Sequence, residues 1–346
     1  MLLATELRVV GMLKVGLLGC GRQGWRRSRA VKTNGDKLVV VADTNVQLAS
    51  SLAVEMGCEA ESDWRRVVNR DDVDALIVCT PNNLHAIMSI ATMNRGKHVL
   101  CEKPLATTIS DAEEIVRVGR ERGLKVKCGF TLRHHPGVLQ VRKWLEQGLL
   151  GEITFIRIRY GIGGREGYDK EWRGARELSG GGQLMDQGVH ALDLSRLFLG
   201  EISKVYGYVA NYYWSNADVE DNAFCILRNE TGQVASVHVS WTQWKNLFSL
   251  ELYGRDGYSC VEGLGGSYGT ETAVLGRRDF SRPFEQTVLE FRSADEEPWL
   301  SEWREFVSAI AEDREPVGNG YDGLQAIRLA FAVYRSSETG HTVGVS

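Results

Sequence analysis

The chain has 346 residues and a formal net charge of -4; it is 43% hydrophobic and 25% charged, with 38 Gly, 6 Pro, 7 Cys and 9 Trp. That length accommodates about two domains of roughly 100 to 200 residues, and the near balance of 41 Lys+Arg against 45 Asp+Glu leaves no cationic excess for a nucleic-acid backbone. The cysteines, Cys20, Cys58, Cys79, Cys101, Cys128, Cys225 and Cys260, form no C-x-x-C pair and suit a reducing compartment, and no apolar run reaches the roughly 18 residues of a membrane helix.

Residues 1–11 are apolar but carry Glu6 and Arg8 and lack a basic start, so they do not read as a signal peptide. They are taken as an N-terminal extension, either a late start site or a loose tail, and a cytoplasmic protein is expected. The sequon Asn229-Glu230-Thr231 then carries no meaning.

From Met12 the chain alternates short apolar runs with helical spacing. The runs are Leu13 to Leu18, Leu38 to Ala42, Ala75 to Cys79, Lys97 to Cys101 and Val126 to Phe130; Thr44 to Glu55, Leu84 to Arg95 and Ser110 to Arg122 lie between them. Ser110 and Glu113 match a capping box. This tempo predicts a doubly wound parallel sheet over residues 12–135. After a helix over Pro136 to Gln147 the texture turns β-rich: Glu152 to Tyr160, Val205 to Tyr213, Ala223 to Arg228, Val234 to Trp241, Phe248 to Tyr253 and Tyr258 to Val261. A helix over Gln183 to Phe198 precedes most of these runs, and Trp299 to Ala311 and Gly323 to Ser336 follow them. Residues 136–346 are therefore expected to form an α+β domain with a mostly antiparallel sheet.

Gly19-Cys20-Gly21-Arg22-Gln23-Gly24 is a G-x-G-x-x-G directly after the first strand and opening a helix. Glycines suit a tight turn whose backbone approaches a pyrophosphate, and the helix start offers N–H groups to its charge. Asp43 ends the second strand about 20 residues later, where a carboxylate takes the adenosine ribose hydroxyls. It would repel a 2'-phosphate, and Thr44 and Asn45 bring no cation, so NAD is expected rather than NADP. The competing reading is a plain glycine turn with Asp43 as a helix cap. Thr80-Pro81-Asn82-Asn83-Leu84-His85 and Glu102-Lys103-Pro104 stand at two more carboxyl ends of the sheet. A residue before proline is kept out of the helical region, which aims Lys103 above the sheet; a solvated lysine beside Glu102 is the alternative.

In the second domain Gly180-Gly181-Gly182 leads into a segment where Asp186, His190 and Asp193 recur at i, i+4 and i+7, one face of a helix. A histidine suits proton transfer near neutral pH and a carboxylate one turn away can orient it. A first-turn aspartate favoured by the helix dipole and a core histidine explain the same residues. His134 and His135 add no zinc-type spacing, so no metal is expected. Tyr160, Tyr168, Trp172, Tyr212, Tyr213, Trp214, Trp241 and Trp244 suit sugar stacking, sheet core or an oligomer interface alike. Arg165, Lys170, Arg173 and Arg176 suit an anionic ligand or a solvated loop.

Taken in order, Gly19 to Gly24, the Thr80 to His85 turn, Glu102-Lys103-Pro104, Trp172-Arg173 and Gly181-Gly182 leading to Asp186 and His190 resemble the Gfo/Idh/MocA oxidoreductases, named after glucose-fructose oxidoreductase and inositol dehydrogenase. The resemblance runs from Met12 through Gly323-Leu324-Gln325 to a Gly340 to Val343 strand. It implies an α/β Rossmann domain, then an α+β substrate-binding domain whose open sheet face builds homodimers or homotetramers. It also implies NAD(P)-dependent hydride transfer between nicotinamide and a secondary alcohol of a sugar, polyol, glycoside or nucleotide sugar. By position, Lys103, Asp186 and His190 would be catalytic. Gly19, Gly21, Arg22, Gln23, Gly24, Asp43, Thr80, Pro81, Asn82, His85, Glu102, Lys103, Trp172 and Arg173 would meet the cofactor. Arg133, Tyr160 and Trp172 would join the catalytic group at the substrate, and the Lys103-Pro104 bond is often cis in such proteins. The fold also serves sugar- or dinucleotide-sensing regulators and glycosidases that use NAD transiently; Lys103, Asp186 and His190 argue against a sensor, which needs no proton acceptor.

Overall fold

The computed structural model describes residues 11–345 apart from 215–216, 282, 284 and 293–296; the expected extension lies, but for Gly11, outside the described residues. Contacts divide the chain into two units, Met1–Gly129 with Glu296–Leu324, and Phe130–Asp295 with Gln325–Ser346.

In the first unit, β1 (Lys14–Leu18), α1 (Arg22–Asn34), β2 (Lys37–Ala42), α2 (Val46–Met56), β3 (Glu59–Glu61) and α3 (Trp64–Val68) are followed by β4 (Ala75–Val78), α4 (His85–Asn94), β5 (His98–Cys101), α5 (Ile109–Glu121) and β6 (Val126–Cys128). The strands form a parallel sheet in the order β3-β2-β1-β4-β5-β6, so the chain winds outward in both directions from β1. Val15, Leu17, Leu18, Leu76, Ile77 and Val78 are all fully buried, as expected where both faces of a sheet are covered. The short polar β3 has no apolar signature, which is why the sequence does not announce it. Two expectations need correction. Thr108, not Ser110, caps α5, accepting from the Asp111 amide at 3.1 Å; the earlier cap lengthens the helix by two residues. The segment over Trp299 to Ala311 joins this unit rather than the second domain, because Trp303 and Phe306 complete the cluster of Ala30, Val31 and Leu38 and the Trp303 indole donates to Asp36 at 2.8 Å.

The second unit begins with α6 (Pro136–Glu146), β7 (Ile153–Gly161), α7 (Arg176–Ser179), α8 (Val189–Leu199), β8 (Ile202–Ala210), β9 (Asn222–Asn229) and β10 (Val234–Ser240). β11 (Leu247–Gly254), β12 (Gly257–Glu262), β13 (Glu271–Arg277) and β14 (Gln286–Phe291) come before α9 (Glu297–Ala311), α10 (Gly320–Thr339) and β15 (Val343–Gly344). Nine strands order as β14-β13-β12-β11-β7-β10-β9-β8-β15. Every pairing is antiparallel except β7 with β10. α8 packs on β7 and β10, and α6 on β12 and β13. Alternation along β9, with Phe224 and Ile226 outward and Cys225 and Leu227 buried, marks a sheet with one covered face. Asn229 of the sequon is buried and donates to the Leu199 carbonyl at 2.7 Å. All seven cysteines are free thiols. Among the described residues no helix is long and apolar enough to cross a membrane, and no group of His, Cys, Asp and Glu could hold a metal ion.

Candidate active site

The glycine turn of the first unit presents backbone. Gly19 has φ +95°, and a Cβ there would stand 2.5 Å from the Cys79 carbonyl oxygen, so only glycine fits. A Cβ on Gly24 would overlap the Gly19 carbonyl, whereas around Gly21 there is open space. Gly21 caps α1 with no side-chain hydrogen bond and no acidic residue follows in the first turn. The helix start thus keeps its N–H groups and positive dipole end for an anion. Arg22 is exposed and Gln23 half-buried at this head. The Asp43 carboxylate closes the turn from the side, accepting from the Cys20 amide and the Asn45 amide, each at 2.8 Å. It does not cap α2; Asn45 does, accepting from Gln47 and Leu48. Burial, and then the Asp43 charge, push the Cys20 thiol up to about 12, so the turn adds no thiolate charge. These features fit a dinucleotide: a cradle closed to side chains, an uncapped helix start, and a carboxylate beside it.

The two further turns are tied to each other by His85. Its fully buried ring contacts the Thr80 carbonyl through Nε2 at 2.9 Å and the Pro104 carbonyl through Nδ1 at 2.7 Å. Burial pushes its pKa down, while the two carbonyl contacts work in the opposite direction. Asn82 is buried, Thr80 and Pro81 are half-buried, and the Lys103-Pro104 bond is cis. Glu102 points inward: its Oε1 lies 2.7 Å from Arg27, which also meets Glu302 at 2.5 Å. Burial alone would lower the Arg27 pKa, but its two carboxylate partners outweigh that and raise it, and the paired charges anchor the turn. Neither Arg27 nor Glu302 was visible as a partner in the sequence, since nothing there marks α9 as a neighbour of α1.

In the second unit the expected single helix breaks into a π-helical turn, Leu184–Gly188, and α8. Gly182 requires glycine, because a Cβ would overlap the Glu220 carbonyl. Glu220 caps the start, accepting from the Gly182 and Leu184 amides at 3.0 Å and from the Tyr334 hydroxyl at 2.9 Å. The wider turn disrupts the i, i+4, i+7 face. Asp186 is half-buried beside Arg173, whose Nε lies 3.5 Å away, and the Arg173 guanidinium covers the Trp172 ring at 4.4 Å. Burial, then the Asp186 charge, push the Tyr168 phenol up; its ring packs edge-on against Trp241 at 4.9 Å. His190 is buried against Phe130 and Tyr160, with ring centroids 5.9 and 6.2 Å away. Asp193 leaves the group: it is 1% exposed and takes Arg133 at 2.7 and 2.5 Å. Arg133, expected at the substrate, thus turns two donors to an interior carboxylate, the arrangement that makes a buried guanidinium tolerable.

A nucleotide-accepting doubly wound unit and a sheet unit with a histidine-bearing helix define a dinucleotide-dependent oxidoreductase. The NAD-binding Rossmann-fold pattern of the oxidoreductase family matches residues 13–130, and the GFO/IDH/MocA C-terminal domain matches residues 138–259. The chain belongs to this Gfo/Idh/MocA family and is an NAD-binding enzyme of the oxidoreductase class. It is 28% identical to the inositol 2-dehydrogenase of Rhizobium meliloti (strain 1021) over 94% of this chain and 96% of that relative. It is 30% identical to the dTDP-3,4-didehydro-2,6-dideoxy-alpha-D-glucose 3-reductase of Saccharopolyspora spinosa over 72% and 74%. A levoglucosan dehydrogenase solved with NADH and levoglucosan superposes with TM-score 0.89 at 25% identity, covering 97% of this chain and all of that one.

Proposed function

We propose that the protein moves hydride between NAD and a secondary alcohol of a sugar, polyol, glycoside or nucleotide sugar. The observation that carries this is the pair of polar groups at the π turn and α8, Asp186 held by Arg173 and His190 set among aromatic rings, in a chain whose relatives include polyol and nucleotide-sugar enzymes. Gly19 to Gly24 hold the pyrophosphate, Asp43 the adenosine ribose, and the Thr80 to His85 and Glu102 to Pro104 turns the remainder of the cofactor. Bound NAD supplies the hydride acceptor. His190 takes the hydroxyl proton as the C–H bond breaks, and returns it in the reverse direction. Lys103 supplies a cation against developing alkoxide charge, and Asp186 orients the hydroxyl. Tyr160 and Trp172 give apolar walls suited to a sugar ring. Incubation with NAD+ and a panel of polyols, aldoses, anhydrosugars and nucleotide sugars should produce NADH with at least one class. NAD binding without product from any of them overturns this reading, and product without net NADH favours transient oxidation.

The quaternary reading is a homodimer or homotetramer through the open sheet face. Tyr208, Phe224 and Ile226 are exposed there, and Phe224 stacks on His238 at 4.1 Å, an apolar area of the kind that marks an interface. Light scattering at micromolar concentration tests it. A reducing cytoplasm is proposed from the seven free thiols.

A further inference from the structure

The arginines of the segment before the π turn part company. Arg165 pairs with Glu171 at 2.6 Å and Arg173 turns to Asp186. Arg176, at the start of α7, instead lines a cavity of about 580 Å³ together with Arg335 of α10, wholly inside the second unit. That volume falls within the range of small-ligand sites, about 300–1,000 Å³. Its walls are tied to one another. β15 covers β8 only at Lys204 and Val205, and further along β8 the Gly207 and Val209 amides donate to the Ser336 and Ser337 hydroxyls of α10, each at 3.0 Å. With α10 pinned to the sheet edge in this way, Phe331, Tyr334, Arg335 and Glu338 share the helix face that lines the cavity.

The inner wall is the start of the π turn. Gly180 lines the cavity, and a Cβ on Gly181 would stand 2.2 Å from the Tyr334 hydroxyl. That hydroxyl donates to buried Glu220, which also holds the Gly182 and Leu184 amides. The phenol and the glycines thus touch with no slack between them. The outer wall is cationic. Arg176 and Arg335 are exposed, and neither forms an ion pair among the described residues, although Glu338 stands one turn from Arg335. Two guanidinium groups lining one cavity repel each other until an anion stands between them, and their forked donors match a phosphate or a carboxylate. Phe331 adds an apolar wall, and the Glu338 carboxylate is an acceptor for ligand hydroxyls.

We propose that this cavity binds a small hydroxylated metabolite carrying a phosphate or carboxylate group, with the oxyanion between Arg176 and Arg335 and a hydroxyl on Glu338, and that occupancy is passed to the π turn through Tyr334 and Glu220. The site shares no residue with those assigned to NAD or to the sugar alcohol. It is therefore an effector site, acting on the turn that carries Asp186 from the side away from the reacting groups.

Calorimetric titration of the NADH-loaded protein with glucose 6-phosphate and with gluconate, and with glucose as the neutral control, reads binding without turnover, so its outcome is independent of the sugar-alcohol reading. At least one of the two anions should bind more tightly than glucose. Arg176→Gln and Arg335→Gln should each weaken that binding about tenfold or more, the scale of a hydrogen bond to a charged group, while leaving the melting temperature and basal kcat of the ligand-free protein as they are. The second arm rests on the sugar-alcohol reading and uses the sugar of the panel that the enzyme oxidises. The saturating anion should shift KM for that sugar about fivefold or more in the native enzyme, not in the variant lacking both arginines, and less in Tyr334→Phe, which keeps the ring and cuts the bond to Glu220. Failure of both anions to bind, or binding indifferent to both arginine substitutions, overturns the site. Binding with an unchanged KM overturns the passage to the π turn.

Discussion

The glycine turn of the first unit presents backbone, the π turn and α8 of the second present side chains. At the glycine turn the groups offered are N–H donors of an uncapped helix, and the nearest side chains, Arg22 and Gln23, are not what shapes it. At the π turn the groups offered are Asp186 and His190, each held by a named neighbour, Arg173 in one case and aromatic rings in the other. A backbone surface suits a ligand common to many enzymes, because almost any side chain can replace those pointing elsewhere. A side-chain surface suits chemistry and selectivity, and is correspondingly fragile. Point substitutions in the two regions should therefore have very different consequences.

The sharpest contrast comes from His190→Ala and Lys103→Ala. Each should lower kcat by about 10² to 10⁴-fold, the usual worth of a proton acceptor or a charge-stabilising donor, with NADH affinity little changed in His190→Ala; Arg22→Ala and Gln23→Ala should leave kcat within about threefold. Stopped-flow hydride transfer checks the four variants together, and a His190→Ala enzyme with full turnover breaks the contrast. Next in size is a stability effect inside the first unit. Arg27→Met removes the cation shared by buried Glu102 and Glu302, and stranding buried charge costs about 3–5 kcal/mol. Urea unfolding measures it, and Arg27→Met with Glu102→Gln should recover part of the loss.

These two outcomes also separate what the chain reveals from what it hides. Gly19 to Gly24 and Asp43 are local in sequence: strand, turn and helix lie within one βαβ unit, so their spacing announces them, whereas the Lys103-Pro104 turn after β5 is singled out by the family resemblance. The parallel, doubly wound class of the first sheet follows from the same alternation, but its strand order and the polar β3 do not. Arg27 with Glu302 and Arg133 with Asp193 are partners across long stretches of chain, and no periodicity encodes which buried charge meets which. The π turn is hidden for another reason. Its residues have ordinary helical spacing, and the break is imposed by packing at Gly182 and by the Glu220 cap, neither of which has a sequence signature.

A smaller effect tests how far the backbone surface depends on its one charged neighbour. Asp43→Ala should weaken NAD binding and ease NADP binding, moving the ratio of their affinities about tenfold toward NADP, because the carboxylate that repels a 2'-phosphate is gone. The Cys20 and Asn45 amides lose their acceptor in the same step, so the melting temperature should fall slightly as well. Asp43→Asn keeps one acceptor oxygen and should recover the stability but not the full NAD preference; titration of both dinucleotides followed by fluorescence distinguishes the two contributions. A ratio that stays put in both variants would leave the glycine turn indifferent to Asp43.

The smallest effect concerns the side-chain surface. Glu220 caps the π turn from a buried position, and burial pushes its carboxyl above the ordinary value of 4.5. In the unfolded chain the group ionises near that ordinary value, so above it the unfolded state has released a proton that the folded state still holds. The contribution of Glu220 to stability is therefore fully present below about pH 4.5 and declines as pH rises toward the raised folded value. Glu220→Gln removes the titration. Its amide oxygen can still accept from Gly182, Leu184 and Tyr334, the partners of Oε1. The melting temperature of the variant relative to the native protein should climb between about pH 4.5 and 7, by about 2 °C, with turnover nearly unchanged. A relative melting temperature that falls over the same interval would mean that the Gly182 and Leu184 amides outweigh burial, hold Glu220 ionised, and make the start of the π turn a charge-capped end, unlike the open helix start of the glycine turn.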